Sequence, residues 1–200
     1  MIETYVETRS GRRVSVDNPQ PDQFDIKDIA YALSNTCRFN GHCSGFYSVA
    51  EHSVVVALRL PRELQLAGLL HDATEAYLGD IPSPIKQFLP DYKKLEGRFE
   101  AAIAEKFATP ERSVVPRCTA KEYAQIKLAD HDALYTEAHF LIPSQGKDWT
   151  FFQGPVKFKV NYKLKPVCLP PSEAFKLFMG MFYDLTNDTK EETSRILLPT

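Results

Sequence analysis

The sequence predicts an all-α fold, a helical bundle with a short N-terminal hairpin or arm and an irregular C-terminal elaboration. Three observations carry this expectation. Apolar residues recur at helical spacing over several segments, and start and stop residues bracket those segments. Strand-like alternation is confined to short stretches near the two ends of the chain.

The elements follow in order. Tyr5 to Thr8 and Val14 to Val16 alternate around a Ser10-Gly11 turn, which reads as a hairpin. Asn18-Pro19-Gln20-Pro21 interrupts the chain. Asp25 then caps a helix to about Ser34, with Ile26, Ile29, Ala30 and Leu33 at helical spacing. A loop of Asn, Gly and Ser runs from Asn35 to Tyr47. Ser48 caps a helix to about Leu60, and Glu51 is placed to complete a capping box. Pro61 opens a mostly buried helix from Arg62 to about Tyr77, stopped by Gly79. The segment Ile81-Pro82-Ser83-Pro84-Ile85-Lys86 reads as a rigid turn. Long helices are expected over Pro90–Phe107 and Thr119–Phe140, and a last one from about Ser172 to Leu185. Between Pro143 and Pro171 the chain is irregular. Phe158–Val160 and Tyr162–Leu164 alternate, and the lysines at 157, 159, 163 and 165 suit an edge strand guarded by charge. Trp149, Phe151, Phe152, Phe158 and Tyr162 are expected in the core or at a contact between subunits. The polar tail from Thr186 is expected to be loosely ordered.

Composition narrows the functional classes. The 200 residues are 44% apolar and 25% charged, enough for one core, so a single domain over 1–200 is expected, with its core at about 25–140 and the elaboration at 143–187. A net charge of -2 gives no overall basic field for a long nucleic acid, so any phosphate-binding charge has to be local. No apolar run approaches the ~18 residues of a membrane span, and the start is neither basic nor apolar as a secretory leader would be. Cys37, Cys43, Cys118 and Cys168 have no CxxC spacing and read as free thiols. A cytoplasmic protein is expected, and a homo-oligomer.

The chemistry centres on the doublet His71-Asp72, set in the apolar run Leu69 to Tyr77. A carboxylate beside an imidazole in apolar surroundings is costly to bury unless it is paired or coordinates a metal. The economical reading is one divalent cation held by His52, His71, Asp72 and Asp130. Two imidazoles and two carboxylates suit a transition metal (Mn, Co, Zn, Fe or Ni), with Mg a poorer fit. Four protein ligands leave positions open for water and a substrate oxygen, the arrangement of metal-assisted hydrolysis. Glu75 falls one helical turn beyond the doublet and reads either as a general acid or base or as a group orienting His71. Arg38, Lys86 and Lys127 are candidates for phosphate binding, and Asp80 for a ribose hydroxyl or the leaving group.

Five blocks in order now resemble a known family: Arg38; Ser48-Val49-Ala50-Glu51-His52-Ser53; His71-Asp72-Ala73-Thr74-Glu75; Gly79-Asp80-Ile81-Pro82-Ser83-Pro84-Ile85-Lys86; and Lys127-Leu128-Ala129-Asp130. They resemble the HD-domain nucleotide phosphohydrolases, in particular the 5'-deoxynucleotidases and the phage dATP triphosphohydrolases. The resemblance covers about half of the chain, Arg38 to Asp130, and implies an HD-domain helical bundle. It implies His52, His71, Asp72 and Asp130 as metal ligands and Glu75 as the catalytic carboxylate. It further implies Arg38 and Lys86 as phosphate ligands, Lys127 in a matching position, and Asp80 near the reacting phosphate or sugar. Members of that family often carry Trp after the loop arginine. Here Phe39-Asn40-Gly41-His42 follows Arg38, which makes Phe39 and His42 candidates for substrate specificity.

The expected function is metal-dependent hydrolysis of a deoxynucleotide mono- or triphosphate, with the three local cations leaning toward the triphosphate. The alternatives are a signalling or cyclic-nucleotide phosphodiesterase and a catalytically silent nucleotide sensor. Five histidines leave none well placed for a second metal, which weighs against the first. Glu75 beside a complete ligand set weighs against the second.

Overall fold

The computed structural model describes residues 4–109 and 112–186. Strands β1 (Tyr5–Glu7) and β2 (Arg13–Ser15) pair antiparallel with Val6 opposite Val14. Eight α-helices follow among the described residues: α1 (Ile26–Asn35), α2 (Val49–Ala57), α3 (Gln65–Leu69), α4 (Glu75–Leu78), α5 (Ser83–Lys86), α6 (Pro90–Phe107), α7 (Ala120–Leu141) and α8 (Pro171–Thr186). The all-α expectation holds. The tail at 187–200 lies outside the described residues.

Helix α2 is the axis of the bundle. Its sequence, Val-Ala-Glu-His-Ser-Val-Val-Val-Ala, has no polar stripe, and all nine residues are buried. A helix without a polar face has to be surrounded, and α1, α3, α7 and α8 all pack on it. Ser48 caps it by accepting from the Glu51 N–H, as expected. The reciprocal half of the capping box does not form. The Glu51 carboxylate turns instead to the C-terminal segment and accepts from the N–H groups of Val167 (2.7 Å), Cys168 (3.2 Å) and Leu169 (2.8 Å).

The helix expected from Arg62 to Tyr77 is broken. A 3-10 turn (Arg62–Leu64) leads into α3, and turns separate α3 from α4. At the break the His71 Nδ1–H donates to the Gly68 carbonyl, at 2.7 Å, occupying an acceptor that a continuing helix would use. Gly68 also sets how closely α3 approaches α2. A Cβ there would lie 2.5 Å from Leu60 Cδ1 and 3.1 Å from Ala57 Cα.

The segment between Pro143 and Pro171 forms no strand, contrary to the alternation at 157–165. Asn161 caps a 3-10 turn, Tyr162–Leu164, and its own N–H donates to Thr136 on α7, so the chain lies along that helix rather than beside a strand. Trp149, Phe152 and Phe158 gather around Tyr135 of α7, with Trp149 stacked on Phe152 at 5.7 Å. Tyr162 stays exposed. At the other end, Asp28 of α1 accepts from Thr8 Oγ1, Ser10 Oγ and Ser10 N–H, which fastens the hairpin turn to the bundle. The four cysteines are free, with Cys37 and Cys43 sulfurs 3.7 Å apart.

Two stability tests follow. Gly68→Ala should destabilise by about 1–3 kcal/mol through overpacking against α2, whereas Gly97→Ala, on α6 with nothing within 4 Å, should stabilise by up to ~1 kcal/mol. Chemical denaturation of both variants checks the contrast. Glu51→Ala strands three backbone donors, so limited proteolysis between residues 155 and 170 should accelerate well beyond wild type; an unchanged cleavage rate would show that the segment is held by other contacts.

Candidate metal centre

Three parts of the fold converge beside α2. His52 comes from α2 itself, His71 and Asp72 from the turn between α3 and α4, and Asp130 from the middle of α7. The rings of His52 and His71 lie 5.3 Å apart. His52 Nε2 is 3.5 Å from Asp72 Oδ2 and 3.3 Å from Asp130 Oδ1. His71 Nε2 is 3.1 Å from Asp72 Oδ2 and 3.8 Å from Asp130 Oδ1. His52, His71 and Asp72 each offer an atom within 4.8 Å of the others', a spacing that could hold a metal ion.

The donor chemistry fits a divalent cation. A carbonyl only accepts, so the Gly68 oxygen fixes the proton of neutral His71 on Nδ1 and leaves a lone pair on Nε2. The Glu137 carboxylate does the same for His52, 2.6 Å from its Nδ1. Both Nε2 atoms are buried without a hydrogen-bond partner. The imidazoles form the floor, with side chains 0% and 2% exposed, and the aspartates the mouth, at 18% and 19%. The cluster is therefore dry beneath and open above.

Its electrostatics point the same way. Burial would lower the pKa of His71, but Asp72 and Asp130 outweigh it and push the group up to about 10. Burial would raise Asp72 and Asp130, but the two imidazoles hold both well below the usual carboxylate range. A field that retains protons this firmly also attracts a divalent ion, which competes for the same lone pairs.

The other sequence candidates fall in two groups. Glu75, Asp80, Arg38, Lys86 and Lys127 surround the cluster. Burial, reinforced by Asp72 and Asp80, raises the Glu75 carboxyl well above its ordinary value. One Glu75 oxygen lies 3.5 Å from Lys86 Nζ and the other has no partner. Asp80 is raised by burial and feels Arg38 and Asp72. Arg38 is buried, with Nε 3.2 Å from Glu137 and Nη1 3.8 Å from Asp72. Lys86 Nζ is 2.8 Å from Glu96 Oε1 of α6, and the half-exposed Lys127 is 3.7 Å from Asp130. Phe39 and His42 form the second group. Phe39 has a positive φ of 57° and its ring faces Trp149 at 6.4 Å. His42 is exposed and lines a cleft of about 430 Å³ with Cys43, His139 and Phe140, a cleft whose walls include none of the four cluster residues.

Sequence reasoning passed over Glu137 and Glu96. Glu137 is 1% exposed and touches Tyr47, His52 and Arg38. Seven residues from Asp130, it shares that residue's face two turns along α7, a spacing that could have drawn attention to it.

Fold and site together define an all-α protein in which His52, His71 and Asp72 form a group that could hold a metal ion, with Asp130 Oδ1 3.3 Å from His52 Nε2. The chain is 38% identical over 183 residues to the uncharacterized protein YfdR of Escherichia coli, a match that covers 92% of this chain and 96% of that one. The chain belongs to the family of YfdR. It is also 40% identical over 111 residues to the uncharacterized protein RCAP_rcc00048 of Rhodobacter capsulatus, covering 50% of this chain and 57% of that one. Over 136 residues it is 30% identical to the 5'-deoxynucleotidase VV1113 of Vibrio vulnificus, covering 62% of each chain. No family model matches the chain.

Proposed function

We propose that this chain is a metal-dependent nucleotide phosphohydrolase of the HD-domain type, a single domain that removes phosphate from deoxynucleoside monophosphates. The observation that carries the reading is the pair of buried, unpartnered Nε2 atoms of His52 and His71 facing Asp72 and Asp130. The relative named as a 5'-deoxynucleotidase supports the substrate class.

His52, His71, Asp72 and Asp130 would hold the ion. When bound, such an ion supplies Lewis acidity toward a phosphate oxygen and water. Glu75, with one oxygen tied toward Lys86 and the other unpartnered, is arranged to exchange a proton with the water or the leaving sugar oxygen. Arg38 contributes a fixed positive charge beside Asp72, where a phosphate oxygen would sit. Asp80 orients the sugar side of the scissile bond.

The charge pattern favours the monophosphate over the triphosphate. Lys86, a candidate for distal phosphates, is held by Glu96 and Glu75. Glu100, on the same helix as Glu96, adds a further carboxylate that feels both Lys127 and Lys86. A β- or γ-phosphate lying there would meet carboxylates whose neutralising lysines are already engaged.

A panel of ribo- and deoxynucleoside monophosphates and dNTPs, assayed with Mn, Co, Zn and Mg for release of phosphate or triphosphate, tests the reading. Phosphate from dNMPs is expected, and triphosphate release from dNTPs would replace it with the triphosphohydrolase. Glu75→Gln should keep metal and substrate binding while turnover falls roughly 10²–10⁴-fold, the usual contribution of general acid-base catalysis. Near-normal turnover in that variant removes Glu75 from the mechanism.

A further inference from the structure

We infer that Glu137 is a positioning residue that sets the orientation and donor strength of His52 toward the metal, and that Tyr47 and Arg38 exist in part to hold Glu137 in place. The inference rests on the metal-dependent reading above. Helix α7 reaches both nitrogens of one imidazole: Asp130 presents Oδ1 3.3 Å from His52 Nε2, and Glu137 presents Oε1 2.6 Å from Nδ1. The two acids lie seven residues apart, two helical turns on one face.

The surroundings of Glu137 are built rather than incidental. It is 1% exposed, and such a carboxylate is costly to bury unless matched. Tyr47, itself fully buried, donates its hydroxyl to Oε1 at 2.9 Å, and Arg38 Nε lies 3.2 Å from Oε2. A carboxylate accepting from one imidazole nitrogen selects the tautomer that frees the other and makes that other nitrogen a stronger donor.

A merely structural ion pair with Arg38 would leave metal affinity unmoved, so affinity is the deciding measurement. Metal-depleted wild type, Asp72→Ala and Glu137→Gln are titrated with Co²⁺, followed by the visible absorption of the ion and by competition with a chelator. Gln keeps an acceptor for His52 but carries no charge. Glu137→Gln should retain wild-type circular dichroism, bind Co²⁺ roughly 10–100-fold more weakly, and show a shifted absorption band. A folded Glu137→Gln with wild-type Co²⁺ affinity overturns the inference. If that variant does not fold, the ¹⁵N spectra of the histidines in Zn²⁺-loaded wild type decide: Nδ1 of His52 should be protonated and Nε2 in the metal-bound range, and a proton on Nε2 overturns it. Wild type that binds no Co²⁺, or Asp72→Ala that binds it normally, defeats the metal-dependent reading itself and is recognisable as such.

Discussion

The structure depends on the absence of any exposed face on α2. A helix buried on every side cannot send a polar side chain to solvent, so each one it carries needs a partner inside the fold. Glu51 and His52 are neighbours in sequence and leave the helix in different directions. Glu51 takes three N–H groups from the segment at 167–169 and so fixes how the C-terminal part closes over the bundle. His52 takes Glu137 and Asp130 and so fixes the rotation of α7. Two adjacent residues on one buried helix thereby tie down α7 and the segment at 167–169.

Charge around the cluster is layered. Innermost are the two imidazoles and the two aspartates. Around them stand the carboxyls of Glu75, Asp80 and Glu137, of which Glu137 is held below its ordinary value while burial raises the other two, and Arg38 and Lys86 lie against them. Burial would weaken the positive charge of both cations. For Arg38 this is outweighed by Glu137, Asp80, Asp72 and Asp130, and for Lys86 by Glu96 and Glu75, so both are held more firmly charged than in water. Such a shell leaves limited positive charge for a substrate.

Much of this was legible in the sequence where residue type and period agree. The caps at Asp25 and Ser48 and, to within a residue, the limits of α6 and α7 follow from local chemistry. The convergence of His52, His71, Asp72 and Asp130 could be anticipated because an apolar setting makes such groups conspicuous. Glu137 was not visible in this way, since a glutamate inside a mixed helix looks like any solvated residue until Tyr47 and Arg38, about ninety and a hundred positions earlier, are known to face it. The alternation at 157–165 misled because period alone does not supply a strand partner, and Thr136 offered the backbone another bond. Phe39 and His42 were placed by sequence proximity to Arg38. The left-handed backbone at Phe39 and Asn40 reverses the chain just after Arg38 and carries the Phe39 ring toward Trp149.

The break between α3 and α4 is the step that joins fold to chemistry. In an uninterrupted helix, consecutive side chains diverge by about 100°, and His71 and Asp72 would address different neighbours. With the ladder interrupted, His71 Nε2 and Asp72 Oδ2 lie 3.1 Å apart and face the same point as His52. The interruption is local in origin. The His71 side chain takes the Gly68 carbonyl, and Gly68 is also the residue whose missing Cβ lets α3 close on α2. One glycine thus sets the helix spacing, receives the bond at the break and orients the imidazole. The energetic loss of a few helical hydrogen bonds is offset by the dense packing of α3 on α2, with Leu66, Ala67 and Leu69 all buried there. A stiffer sequence across residues 69–74 would make a better helix and a worse centre.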